Sequence, residues 1–400
     1  MLHLTVIHTT DPPKIGKGFR LRGGALVADH HPLLVAGPAE VVSVADLSAF
    51  ADLLGGLDAG SQVLTYGRLA ADAVEIVTKA HEGNGAIART RDSFSWPSGP
   101  GIVLLDYDAG EVDDMHEVAA ILTDAQPALD LHQQLWWPSS SSHICKAGGR
   151  DLTGLRGARG YMIAKDARDI PRAMVALVAR LWLRGHGRID VSASGQLLER
   201  CILDSSVWQP ERLDFAAGAV CGEGLEQRRG EPVLLNPDRL PVADTRGLFP
   251  PLNRDEARAF DLIKTRAKAA KMTAAEAQRA IWARARDVAA IMRDRPSLTE
   301  AEVEAAADAD RATRAAITKL ATAPRAVLPA GHVLHVSKSE TVAAGDITAD
   351  WQGRRLCDPL EPDYRGWNRC TSVLLVGGRV TLKSWAHGTG RLFNIEGPKE

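Results

Sequence analysis

Gly101-Ile102-Val103-Leu104-Leu105-Asp106-Tyr107-Asp108 is the stretch on which the reading of this chain turns. A continuous apolar run of this length, set off by Gly99-Pro100, predicts a buried strand. It ends in two acids spaced D-x-D. Side chains alternate along a strand, so Asp106 and Asp108 project from the same face.

Outward from this strand the pattern alternates short strands with amphipathic helices. On its N-terminal side, residues 1–100 break into short apolar runs and turns. The stretch from Val41 to Leu54 has helical spacing, with Val44, Leu47, Phe50, Leu53 and Leu54 on one face. On its C-terminal side, Asp113 to Leu122 predicts a helix whose first turn holds Asp113 and Asp114, where acids suit the helix dipole. Gly160 to Ala164 is strand-like. Ile170 to Leu183 predicts a helix, with Pro171 in its first turn and Gly185 and Gly187 beyond its end. Leu197 to Leu203 leads into Asp204, Leu213 to Val220 is a further short apolar stretch, and Gly222 to Thr245 reads as a loop and domain exit.

Residues 254–325 contain no glycine and are dominated by Ala, Arg and Glu. Two or three long helices are predicted there, with capping boxes at Thr273-x-x-Glu276 and Ser297-x-x-Glu300 and a junction at Pro296. From Arg254 to Arg295, eleven Lys/Arg stand against six acids, the most basic segment of the chain. After 326 the strand pattern returns, and Gly377-Gly378 marks a hairpin. The expected organisation is α+β: a catalytic domain over 1–245 with a mixed sheet flanked by helices, a helical domain over 246–326, and a small β-rich C-terminal module over 327–400.

Composition narrows the class. The chain has 400 residues, 45% hydrophobic and 24% charged, with a net charge of -2. This fits a soluble globular protein and confines any basic surface to a local patch. Five cysteines without a C-x-x-C pair argue against a disulfide framework or a zinc ribbon. Neither a signal-peptide pattern nor an apolar run of about 18 residues occurs, so a cytoplasmic protein without a membrane span is expected. The sequence also lacks G-x-x-x-x-G-K-[ST], H-E-x-x-H and G-x-S-x-G, which removes an ATP-driven motor and two common hydrolase chemistries.

Transfer of a nucleotidyl group needs charge neutralisation more than proton shuffling. Mg²⁺ or Mn²⁺ suits that task, and a few carboxylates suffice to hold it because phosphates complete the shell. Asp106 and Asp108 supply two, and Asp204, after its own apolar run, is the candidate third. Acids at strand ends also cap turns, so this pattern alone does not decide the matter. Ser141 and His143, spaced Ser-x-His, would share one face of a strand and face triphosphate oxygens. From the spacing alone, a polar serine-rich turn with a surface histidine is the preferred reading.

Taken together, three segments resemble the archaeo-eukaryotic primase superfamily in its phage and plasmid primase-polymerase branch. Leu104-Leu105-Asp106-Tyr107-Asp108 is similar to its acidic first motif, Ser141-Ser142-His143 to its second and Leu203-Asp204 to its third. The run from Asp204 through Val207-Trp208 to Arg212 resembles the pattern that follows the third motif. The resemblance covers about residues 90–235. It implies a DNA primase/polymerase that adds nucleotides from NTP or dNTP to a 3′ hydroxyl on a single-stranded DNA template.

By this resemblance Asp106, Asp108 and Asp204 would hold Mg²⁺ or Mn²⁺, Ser141 and His143 would contact phosphates, and Arg212 would contact nucleotide or template. Many relatives carry the histidine in a later strand, and the matching strand here, Arg159-Gly160-Tyr161-Met162, has none. If that strand is the second motif, Arg156, Arg159 or Lys165 takes over the phosphates. Near the C-terminus, Asp358-Pro359-Leu360-Glu361-Pro362 and Ser384-Trp385-Ala386-His387-Gly388 resemble segments that follow primase domains in phage primase-helicase proteins. A helicase partner would be a separate polypeptide. Two rival readings stay open: a non-catalytic replication-initiation or DNA-binding protein on the same fold, and a metal-dependent nuclease.

Overall fold

The computed structural model describes residues 1–12, 14–31, 33–108, 112–309, 326–386 and 391–396. His387 and the last part of the helical stretch, 310–325, lie outside the described residues. The protein is α+β. Its described residues form two compact units, Met1–Arg279 and Ala280–Glu400, and the division falls within the helix Arg254–Asp294. Among the described residues no helix is long and apolar enough to cross a membrane.

The first unit is built around the strand Gly101–Asp108, whose residues Ile102 to Leu105 are all buried. It pairs antiparallel with Gly157–Ala164, which pairs in turn with Gln134–Pro138 and then Val233–Leu235. Apolar residues on both faces of the central strands require cover on both sides. Helices Met115–Ala125 and Ile170–Leu183 supply Val118, Leu122, Met174, Leu177 and Leu181 to the same core. Helix Leu47–Gly55 adds Phe50, whose ring meets Tyr161 edge-on at 5.0 Å.

A close approach explains Gly160. The indole of Trp136, its cross-strand neighbour, lies where a side chain would go, 2.6 Å from the position of a Cβ. Any larger residue would displace a fully buried ring.

A second, largely antiparallel sheet centres on Leu2–His8, flanked by Gln62–Thr65 and Gly37–Val44. The hairpin Gly16–Arg22/Ala25–His31 forms a third, smaller sheet with Val220–Cys221.

Several sequence expectations need correction. The helix expected from Val41 begins only at Leu47, capped by Asp46, because Val41 to Val44 are paired as a strand with Leu2–His8. Cross-strand packing of β-branched residues outweighs the helical spacing there. Gly222 to Thr245 is more than a loop: Leu225–Gln227 pairs with Ile144–Lys146, and Val233–Leu235 closes the central sheet.

Thr273-x-x-Glu276 lies inside the continuous helix Arg254–Asp294 and starts nothing. The capping box of that helix is Asn253 with Glu256, each bonding the other's backbone N–H. After a break at Pro296, the next helix is boxed by Thr299 and Glu302 rather than Ser297 and Glu300. In each case the box forms at a helix start, where backbone N–H groups lack intrahelical partners.

The second unit contains a five-stranded sheet ordered Ala326–Leu328, Arg391–Ile395, Arg379–Ser384, Thr371–Val376, Arg355–Leu356. Its core is Leu328, Leu334, Leu356, Val373, Leu382 and Phe393. The expected Gly377-Gly378 hairpin is present, with φ of 57° and 77°, values that suit a tight turn between twisted strands.

Candidate active site

The central strand pairing sets the site. Asp106 lies opposite Arg159 in antiparallel register, so both side chains project from the same face of the sheet, and Asp108 follows on that face. On the other edge of the strand, Leu203 bridges to Tyr107, and the Asp204 N–H donates to the Asp106 carbonyl at 2.8 Å. This bridge sets Asp204 beside Asp106. Trp208 locks the following turn by donating Nε1–H to the Leu104 carbonyl at 2.7 Å. The Val207-Trp208 pair is thus buried packing that holds Asp204 against the strand.

Asp204 has local duties as well. Its carboxylate accepts from the Ser206 N–H at 2.8 Å and the Ser206 hydroxyl at 2.7 Å, and caps a short 3₁₀ turn. Arg212 donates to the same Ser206 hydroxyl at 3.0 Å, so it reaches Asp204 through one intermediary.

Asp214 is a buried acid that the sequence reading passed over. Its Oδ1 lies 2.5 Å from Arg159 Nε, and its Oδ2 accepts from Tyr66 at 2.5 Å and Tyr161 at 3.1 Å. Its backbone pairs with Leu64. The ion pair is close but poorly aligned, and among the described residues Arg159 Nη1 has no hydrogen-bond partner. Arg159 is therefore a buried guanidinium with unused donor capacity beside the acids. Burial alone would lower its pKa, but Asp214 and Asp106 carry it upward, so it stays charged. The available signal for Asp214 was an acid interrupting the apolar run from Leu213 to Ala217.

Lys17 is the second residue missed. It stands on the hairpin strand Gly16–Arg22 and donates Nζ–H to the Ser141 hydroxyl at 3.2 Å. Burial and the charge of Arg159 lower its pKa, while Asp106, Asp108 and Asp214 oppose the shift. A third cation, Arg229, stacks 3.4 Å over the ring of Trp137, the cross-strand neighbour of Arg159. Burial and Arg159 push its pKa down to about 10.

A cleft of about 430 Å³ borders this cluster, lined by Lys17, Phe19, His30, Asp108, Ser141 and Arg156, among others. Acids and cations thus share one site. Burial raises the pKa of Asp106 to about 6; Asp214, Asp108 and Asp204 add to the rise, and Arg159 opposes it. The carboxylates offer hard oxygen donors, which suit Mg²⁺ or Mn²⁺. Among the described residues no three His, Cys, Asp or Glu side chains converge as a ready-made metal cage. Mg²⁺ commonly binds one or two carboxylates together with substrate phosphates, and Asp106 and Asp108 fit that mode.

The other candidates lie as follows. Ser139 to Ser142 form a hydrogen-bonded turn after Gln134–Pro138, not a strand, so Ser141 and His143 do not share a strand face. Ser141 faces Lys17. His143 adopts a left-handed conformation, φ 54°, and bonds Asp151 through Nδ1 at 2.8 Å. Lys165 lies past the opposite end of the Gly157–Ala164 strand from Arg159, beside Asp244 at 3.9 Å. At about 3.3 Å per residue, that is roughly 20 Å from Arg159. The fold therefore assembles Asp106, Asp108, Asp204, Arg159 and Ser141, and does not bring Lys165 to them.

Comparison with known protein families, curated proteins and solved structures returned no match to this chain.

Proposed function

We propose that this chain is a metal-dependent nucleotidyltransferase, a DNA primase/polymerase of a phage or mobile element. It would extend a 3′ hydroxyl on a single-stranded DNA template from NTP or dNTP. The observation that carries the reading is the pairing of Asp106 with Arg159 on one side and Asp204 on the other, with Asp108 on the same face. One strand thereby presents carboxylates for metal next to a buried cation for phosphate.

Asp106 and Asp108, with Asp204 beside them, would hold Mg²⁺ or Mn²⁺. The metal would supply charge neutralisation at the attacking and leaving oxygens. The protein's own groups do the positioning. Lys17 would offer N–H donors to a triphosphate, with the charge of the buried Arg159 behind it. Ser141, bonded to Lys17, fixes that ammonium at the cleft wall. Asp214, held by Tyr66 and Tyr161, keeps Arg159 in place before substrate arrives. Such preorganisation is where catalytic stabilisation of developing charge comes from.

The test is primer synthesis and primer extension on single-stranded DNA with labelled NTP or dNTP, in Mg²⁺ or Mn²⁺. The wild type is expected to make products, and Asp106→Ala/Asp108→Ala to lose them by at least about a thousandfold. A wild type that binds DNA but makes no product under either metal would leave a replication-initiation scaffold as the account. DNA cutting without nucleotides would replace the polymerase with a nuclease.

A further inference from the structure

The two C-terminal segments singled out in the sequence meet in the fold. Ser384 donates its hydroxyl to Asp358 Oδ2 at 2.5 Å, and both residues are buried. Asp358 Oδ1 accepts the N–H groups of Leu360 and Glu361, which starts the loop that runs on to Cys370. Ser384 Oγ also accepts the Ala386 N–H, and Trp385 N–H donates to the Cys370 carbonyl at 3.0 Å. One buried polar cluster thus ties the 358–370 loop to the end of the strand Arg379–Ser384 and sets Trp385 beside that loop.

A hollow of about 530 Å³ lies at this junction, lined by Arg355, Tyr364, Arg365, Asn368, Arg369, Cys370 and Trp385. Its size falls within the roughly 300–1,000 Å³ of small-ligand sites. Three guanidiniums line it and no Asp or Glu does. Arg355, Arg365 and Arg369 are exposed, and among the described residues none has a carboxylate partner. Elsewhere in the chain arginines do sit in ion pairs, such as Arg172 with Asp169 and Arg284 with Glu304. Trp385 is 50% exposed, with Lys383 4.3 Å from its ring centroid.

We infer that this hollow binds single-stranded nucleic acid, with a base stacked on Trp385 and backbone phosphates on Arg355, Arg365 and Arg369. Unpaired guanidiniums select a polyanion, and an exposed indole among them selects one that also carries planar rings. Bases in a duplex are stacked on one another and cannot reach the indole, whereas single strands offer both groups together. Every base has a π-face, so the site is tolerant of sequence. The inference stands on the C-terminal module alone and does not depend on the catalytic reading.

The test uses the full chain in EDTA without nucleotide, titrated into labelled oligo-dT and oligo-U at several salt concentrations. Trp385→Ala is expected to weaken binding about tenfold, as loss of one stacked base does. Arg355→Ala/Arg365→Ala/Arg369→Ala is expected to weaken it at least tenfold and to lower the log–log salt slope by about two, at about 0.7 per phosphate contact. Trp385→Phe keeps a stacking face and should bind nearly as the wild type does, which separates stacking from misfolding. Asp106→Ala/Asp108→Ala should still bind, so failure of the polymerase reading would leave this result standing. Unchanged affinity and slope in the triple arginine variant would overturn the inference.

Discussion

The cleft around Asp106 and the hollow around Trp385 both gather charge, but they handle it in opposite ways. In the buried cluster bordering the cleft Arg159 is 6% exposed and Asp214 2%, and two tyrosine hydroxyls and a sheet register fix the pair before any ligand arrives. In the hollow Arg355, Arg365 and Arg369 are exposed, and among the described residues none faces an acid. A buried network holds its members at fixed positions at the expense of desolvation, which suits chemistry. Exposed, unpaired guanidiniums keep their freedom until a polyanion orders them, which suits holding a flexible strand.

The comparison breaks most visibly through stability. Asp214→Ala would take from the buried Arg159 its ion-pair partner and from two buried hydroxyls their acceptor, so a loss of about 3–5 kcal/mol is expected. Arg369→Ala, on an exposed arginine without an ion-pair partner, should change stability by no more than about 0.5 kcal/mol. Urea denaturation of both variants measures the contrast. Equal losses would mean that the hollow is as structural as the cleft.

A smaller effect of opposite sign is expected at Asp106. Its pKa in the fold is raised from the usual 3.8 to about 6. Below pH 4 the carboxyl is protonated in both folded and unfolded chains and costs nothing. Between pH 4 and 6 the unfolded chain ionises first, so folding stability falls as pH rises through that window and stays lowered above it. The full shift corresponds to about 3 kcal/mol, and solvent reaching the partly buried group reduces that to about 2 kcal/mol. Asp106→Asn should therefore be more stable than the wild type at pH 7 in EDTA while losing activity. It should also flatten the stability profile between pH 4 and 6. A variant no more stable than the wild type would mean that Arg159 already neutralises the cluster.

How much of this was legible in the sequence depends on how local each signal is. The strand 101–108 and the helix 170–183 are read directly, because their apolar runs and their punctuation by Gly and Pro are contiguous. The carboxylate pair follows from alternation along one strand. Asp214 and Lys17 were not legible as members of the site. They reach it through a backbone pairing with Leu64 and through a separate hairpin, contacts that span long stretches of chain. Ser141 and His143 looked alike by spacing, yet a left-handed turn at His143 sends the imidazole to Asp151. The bond between Asp358 and Ser384 was equally hidden, although both segments were visible as motifs.

The smallest expected effects draw the edge of the cleft. Lys17 and Lys165 are both lysines on or beside sheet strands, and composition cannot tell them apart. Lys17 contacts Ser141 at the cleft wall, whereas Lys165 lies beyond the far end of the strand, exposed and 3.9 Å from an exposed Asp244. Lys17→Met removes a charge facing the phosphates and should raise the KM for nucleotide about tenfold, the loss of a single charge-assisted bond of about 1.5–3 kcal/mol partly replaced by water. Lys165→Met removes a solvent-screened pair, should change stability by less than about 0.5 kcal/mol, and should leave both KM and kcat where they are. Steady-state extension kinetics of the two variants decide the matter. If Lys165→Met raised KM and Lys17→Met did not, the nucleotide would enter at the opposite end of the sheet, and the carboxylate pair would lose its phosphate-binding neighbours.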